Sequence, residues 1–156
     1  MKKEVRIRVN GEWRELDVTP EEILLDVLRE RLGLKSPKVG CERGECGTCT
    51  VLLDGRPVRS CLILAVEADD REVVTVEGLT RDGLTPLQQS FVEHSSFQCG
   101  YCAPGIVVTA TELLQRSEQP TRDEVQEAIS GHLCRCTGYS AIVDAIVDAS
   151  RTGSDE

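Results

Sequence analysis

The sequence predicts an α+β protein: a mixed sheet crossed by one helix in the first half, then a small bundle of short helices. Three observations carry that expectation. Apolar residues recur with period two until about Glu77–Gly83 and with period 3.6 beyond it. The dipeptides Asn10-Gly11 and Asp54-Gly55, suited to two-residue hairpin turns, separate alternating runs in the first half. Apolar content is 40% with only five aromatic residues, so the core must be built from Val, Leu, Ile and Ala.

In chain order, Val5-Arg6-Ile7-Arg8-Val9 alternates apolar and charged, as a half-buried strand does. Asn10-Gly11 turns it into a second strand from about Trp13 to Val18. Thr19-Pro20-Glu21-Glu22 has the form of a capping box with Pro at the first helical position. The helix it announces places Ile23, Leu24, Val27 and Leu28 on one face and stops at Gly33. Thr50–Leu53 reads as a strand returning through Asp54-Gly55, and Val73, Val74 and Val76 suggest a last strand.

Thr85-Pro86-Leu87-Gln88 repeats the capping logic and starts a helix through Val92. Pro104 opens another with Ile106, Val107, Ala110, Leu113 and Leu114 as its apolar stripe. Thr121 caps a third helix, and Ser140 caps a fourth containing Ile142, Val143, Ile146 and Val147. Four short helices suggest a bundle. The polar tail Arg151–Glu156 is expected to be loose. The chain divides into residues 1–80 and 81–156.

Charge excludes one class. Eighteen Lys/Arg against 27 Asp/Glu leave a net charge of −9, and no basic face is available to neutralise phosphates, so no nucleic-acid partner is expected. No apolar run approaches the ~18 residues of a spanning helix. The start, Met1-Lys2-Lys3-Glu4-Val5-Arg6, is basic but lacks an apolar stretch behind it, so a cytoplasmic protein is expected.

The eight cysteines are the outlier, and metal or redox chemistry is the expectation for them rather than disulfides. Cys41, Cys46, Cys49 and Cys61 are spaced C-x4-C-x2-C-x11-C, the order of a plant-type [2Fe–2S] site. Gly40, Gly44 and Gly47 let the loop curl and aim backbone N–H groups at an anionic cluster, and Arg43 adds a positive charge nearby. Structural zinc is the alternative, but it favours paired short spacings.

Cys99, Cys102, Cys134 and Cys136 form C-x2-C-x31-C-x-C. From spacing alone, these two pairs also suit tetrahedral zinc. Both precede expected helix N-termini, which favours any anionic centre and does not discriminate. The C-x2-C-x2-C-x3-C-P run of a four-iron cluster is absent, and no C-x-H pair suggests a Rieske site. His132 reads as a loop residue beside a complete quartet rather than a ligand. His94 reads as a surface residue ending its helix, and Phe91, Phe97 and Tyr101 as packing over the second quartet.

At these residues a family resemblance enters. Gly40-Cys41-Glu42-Arg43-Gly44-Glu45-Cys46-Gly47-Thr48-Cys49-Thr50-Val51, then Gln98-Cys99-Gly100-Tyr101-Cys102-Ala103-Pro104-Gly105, then His132-Leu133-Cys134-Arg135-Cys136-Thr137-Gly138-Tyr139 closely resemble the iron–sulfur module of molybdenum hydroxylases. These are the xanthine dehydrogenase, aldehyde oxidase and carbon monoxide dehydrogenase relatives, and the resemblance runs from about residue 3 to 150. Ala103 departs from it, where many relatives carry Thr.

The resemblance implies an N-terminal β-grasp (plant-type ferredoxin-like) domain and a C-terminal four-helix domain, each with one [2Fe–2S] cluster. It favours iron over zinc at the second quartet. It further implies a large molybdopterin-binding subunit and a medium FAD-binding subunit as partners. Gln98 and Cys136 would approach the pterin, Cys136 also ligating iron. Electrons would pass through the helical-domain cluster, then the ferredoxin-like one, then FAD. The alternatives are a free-standing two-cluster ferredoxin and a zinc-stabilised interaction module.

Overall fold

A computed structural model of the chain describes residues 1–152. Strand β1 (Lys3–Val9) pairs antiparallel with β2 (Glu12–Val18), Val9 opposite Glu12 and Lys3 opposite Val18. Asn10 and Gly11 sit at φ 50° and 85°, the two left-handed positions that a type I′ turn requires. Strand β3 (Thr50–Leu53) pairs with β4 (Arg56–Arg59) across a similar turn, Asp54 at φ 49° and Gly55 at 78°. The short β5 (Glu72–Val74) lies parallel to β1 and antiparallel to β3, giving the order β2-β1-β5-β3-β4. Helix α1 (Leu24–Asp26), continued by a π-turn over Val27–Arg31, buries Leu24, Val27 and Leu28 against Ile7, Val51 and Val73 of the sheet.

Three expectations fail in this half and at the tail. Thr19–Glu22 closes on itself, with Glu22 Oε2 accepting the Thr19 N–H at 2.9 Å, but the helix begins only at Leu24. Ile23 forms a bridge to Leu64 instead, and the Leu24 N–H donates to the Ile63 carbonyl at 2.7 Å, so long-range pairing takes the first helical turn. Val76 is not in the last strand; it opens helix α2 (Val76–Leu79) behind the cap residue Thr75. Arg151 and Thr152 are helical rather than loose, and the remainder of the expected tail, 153–156, lies outside the described residues.

The second half holds α3 (Pro86–Glu93), α4 (Ala103–Arg116), α5 (Arg122–Ile129) and α6 (Ser140–Thr152). Thr85 and Gln88 exchange the two bonds of a capping box, at 3.2 and 2.8 Å, and Thr121 with Glu124 does the same for α5. Leu87, Phe91, Ile106, Ala110, Ile142 and Ile146 form the core where these helices meet. Helix α4 also packs on β3, so the helices stand directly against the sheet. Among the described residues no helix is long and apolar enough to cross a membrane.

Candidate metal centres

The first quartet lies on the loop between the π-turn and β3, closed by Cys61 just after β4. Gly44 and Gly47 hold φ 79° and 80°, conformations that side chains rarely adopt. Gly40 is required by space: a Cβ there would stand 2.7 Å from both Cys46 Sγ and Thr48 Oγ1. The curl aims three backbone N–H groups at Cys41 Sγ, from Arg43 at 3.3 Å, Glu45 at 3.2 Å and Cys46 at 3.4 Å. These donors, Cys46 foremost and then Arg43, pull the Cys41 thiol down to about 6. Cys49 and Cys61 are buried, and burial, reinforced by the neighbouring Cys49, pushes Cys61 up to about 11. The Arg43 side chain pairs with Glu45 at 3.4 Å, while its backbone N–H is one of the donors on Cys41.

The second quartet sits where α4 and α6 begin, as the spacing suggested. Cys102 is the residue before α4 and is buried; burial and the adjacent Cys134 thiol push it up to about 12. Cys99 and Cys136 are exposed, with their sulfurs 3.6 Å apart. Burial works to raise Cys134, but the Thr137 hydroxyl at 3.2 Å and the N–H groups of Cys136 and Thr137 outweigh it and hold the thiol below its usual range. Gln98 donates through Nε2 to the Cys136 carbonyl at 2.9 Å, which fixes its amide at the exposed rim of this site.

Within each quartet the thiols act on one another: the Cys99 and Cys136 sulfurs stand 3.6 Å apart, and, after burial, Cys61 is raised by Cys49 and Cys41, and Cys102 by Cys134 and Cys99. Among the described residues, no group of three His, Cys, Asp or Glu side chains is placed to hold a metal ion. A tetrathiolate zinc site needs four sulfurs around one point. A two-iron cluster needs two thiolates at each of two irons, four in all, which each quartet can supply.

Contacts that sequence reasoning missed join the two quartets. His132 is 1% exposed, with Nε2 2.8 Å from Thr109 Oγ1 on α4. Its Nδ1 lies against Gly47 of the first loop without reaching hydrogen-bond geometry. Burial first, then the nearby Arg59 charge, lowers its imidazole to about 4. Arg59 on β4 donates to Thr50 Oγ1 at 2.8 Å and to the Gly131 carbonyl at 2.9 Å. The Leu133 N–H donates to the Cys46 carbonyl at 3.0 Å. Tyr101 is half-exposed and donates its hydroxyl to the Val39 carbonyl, so it ties two loops together rather than covering a site. Phe91 and Phe97 do pack together, at a centroid separation of 5.0 Å. His94 does end α3, where it meets Asp148 at 2.9 Å.

Thiolate quartets on glycine-curled loops define an iron–sulfur protein, and comparison with known proteins narrows the class. A 2Fe–2S iron–sulfur cluster binding domain model matches residues 7–80, and a [2Fe–2S] binding domain model matches 75–147. The chain is 50% identical over 146 residues to the nicotine 6-hydroxylase small subunit of Paenarthrobacter nicotinovorans, covering 94% of this chain and 88% of that one. It is 48% identical to the nicotinate dehydrogenase small FeS subunit of Eubacterium barkeri, covering 91% of each. The crystal structure of quinoline 2-oxidoreductase from Pseudomonas putida contains a chain that superposes at a TM-score of 0.92 with 47% identity, over 97% of this chain and 98% of that one. The aldehyde oxidoreductase of Desulfovibrio gigas superposes at 0.91 with 42% identity, but there the match fills only 17% of a longer chain. This chain belongs to the family of small iron–sulfur subunits of molybdenum hydroxylases, the electron-transfer subunits of heteromeric oxidoreductases.

Proposed function

We propose that residues 1–80 form a β-grasp domain holding one [2Fe–2S] cluster through Cys41, Cys46, Cys49 and Cys61. Residues 81–156 form a four-helix domain holding a second through Cys99, Cys102, Cys134 and Cys136. The observation that carries this reading is the gathering of the eight thiols into two quartets, with three backbone N–H groups aimed at Cys41 and the Cys99 and Cys136 sulfurs 3.6 Å apart. When bound, each cluster supplies a centre that takes up and releases one electron.

The protein residues then do three things. Backbone N–H groups on Cys41 and the Thr137 hydroxyl on Cys134 stabilise negative charge on sulfur. Exposed Cys99 and Cys136, with Gln98 fixed beside them, face a large subunit carrying molybdopterin. The partly exposed Cys41 faces a medium subunit carrying FAD. Between the sites, the Cys46 carbonyl and the N–H of Leu133, the residue before Cys134, form a direct polar bridge that starts on one proposed ligand. Net flow runs from the molybdenum side to the flavin side, in the cytoplasm, where thiols stay reduced.

Anaerobic purification of the native complex tests this. About four irons and four acid-labile sulfides per chain are expected, with two distinct EPR signals after reduction and co-purifying flavin and molybdenum chains. Stoichiometric zinc would overturn the second site. A fully loaded, freely diffusing monomer would instead favour a ferredoxin.

A further inference from the structure

Besides the Tyr101–Val39 bond, the segment Gly131–Leu133 carries the short connections between the first cysteine loop and the second quartet, yet it contains no thiol. The Gly131 carbonyl is held by Arg59, which also holds Thr50 Oγ1, itself donating to the Gly47 carbonyl at 2.7 Å. His132 is the wedge of this segment. Its ring fills the space between Gly47 and α4 so fully that a Cβ on Gly47 would stand 2.5 Å from Nδ1, and a Cβ on Gly105 3.2 Å from it. Nε2 is anchored on Thr109 at 2.8 Å, and the His132 carbonyl accepts the Tyr139 hydroxyl at 2.9 Å. The same Tyr139 oxygen accepts the Cys134 N–H at 2.8 Å, so the ring, the tyrosine and one proposed ligand form a single bonded unit.

This inference rests on the two-cluster reading above. We propose that His132 and Arg59 are positioning residues for transfer between the clusters: together they hold the Cys46 carbonyl against the Leu133 N–H and so set the electronic contact between the two sites. Neither touches a sulfur in the structure. Position is what they control. A buried ring with one anchored nitrogen and tight apolar and backbone walls has one orientation, and the Arg59 guanidinium spans sheet and helical layer with two directed donors. Remove either and the two cluster loops keep their own ligands but lose their fixed mutual register.

The test uses the native complex with both clusters loaded, comparing His132→Phe and Arg59→Gln in this chain with the parent. Two readouts are followed: the magnetic interaction between the two reduced clusters by EPR, and hydrogen exchange of the Leu133 amide. Each variant should retain iron and sulfide but lose the intercluster splitting, and Leu133 should exchange about tenfold faster. Core amides of α6 should be unchanged. Should His132→Phe shed a cluster, Arg59→Gln, which loosens the same contact from the sheet side, decides alone. Native splitting and native Leu133 exchange in a fully loaded Arg59→Gln chain overturn the proposal. A parent chain with one cluster, or with zinc, fails the underlying reading instead, and the two failures are distinguished by metal content before any variant is made.

Discussion

The two cysteine quartets share a chemistry but not a setting. The first is wrapped by backbone: three N–H groups converge on one sulfur, and two further cysteines, Cys49 and Cys61, are buried beneath. The second is built from helix starts and keeps one buried cysteine, Cys102, while Cys99 and Cys136 remain open at the surface. A cluster's potential follows hydrogen bonding to sulfur and exposure to solvent. The contrast therefore separates a site tuned by its own loop from one left to be completed by whatever covers it.

The largest effect expected comes from removing a soft ligand at each site. Cys49→Ser and Cys102→Ser each replace a buried thiolate with a hydroxyl that iron holds poorly. Each should lower the iron content from about four to about two per chain and abolish one EPR signal while leaving the other intact. Loss of both signals from a single substitution would mean that the quartets are one cooperative unit, and the contrast between them would lose its meaning.

A smaller effect separates the loops themselves. Gly47 and Gly100 both hold positive φ, 80° and 77°. Around Gly100 a Cβ would meet nothing within 4 Å, whereas at Gly47 it would run into the His132 ring and, at 2.7 Å, the Gly131 carbonyl. Gly100→Ala should therefore cost only the backbone strain, about 1–2 kcal/mol. Gly47→Ala adds a collision with backbone that cannot easily move, for roughly 2–5 kcal/mol in all. Thermal unfolding of the two holoproteins measures the difference; equal losses would show that the first loop yields more readily than its packing implies.

That first loop also marks how far the sequence could be read. The hairpin turns, the caps at Thr85 and Thr121, and the C-x4-C-x2-C loop were legible because each rests on residues within a few positions of one another. Asn10-Gly11 needs only its own left-handed φ values, and C-x4-C-x2-C needs only a tight loop. The failures that matter for the site are long-range. The Thr19 box was overridden because Ile23 pairs with Leu64 from a distant segment. Arg59 reaches a carbonyl 72 residues away and Tyr101 one 62 residues away, and nothing in local spacing marks either. His132 carried one faint signal, an imidazole two residues before a thiol, which suggested a ligand's neighbour and not a wedge between loops.

The smallest effect tests the contrast at the level of one proton. Each quartet has a threonine hydroxyl 3.2 Å from a sulfur, Thr48 on Cys46 and Thr137 on Cys134. They are not equivalent. Thr48 Oγ1 also has the Lys38 carbonyl as an acceptor at 3.2 Å, so its single proton is divided between two partners. Thr137 Oγ1 accepts the Tyr139 N–H at 3.3 Å, which leaves its own proton free for Cys134. A hydrogen bond to sulfur stabilises the more negative, reduced cluster, so removing it lowers the potential. One net hydrogen bond of about 0.5–1.5 kcal/mol corresponds to about 20–60 mV for a one-electron couple. Thr137→Val keeps the shape, deletes the donor, and should lower the second cluster's potential by about that amount. Thr48→Val should lower the first cluster's potential by less than about half as much, because the shared proton contributes less and three backbone donors remain on Cys41. EPR-monitored redox titration of both variants, with each signal followed separately, gives the two shifts. An equal or larger shift at the first site would mean that the Thr48 hydroxyl is committed to Cys46, and that the loop's tuning depends on side chains as much as on its backbone.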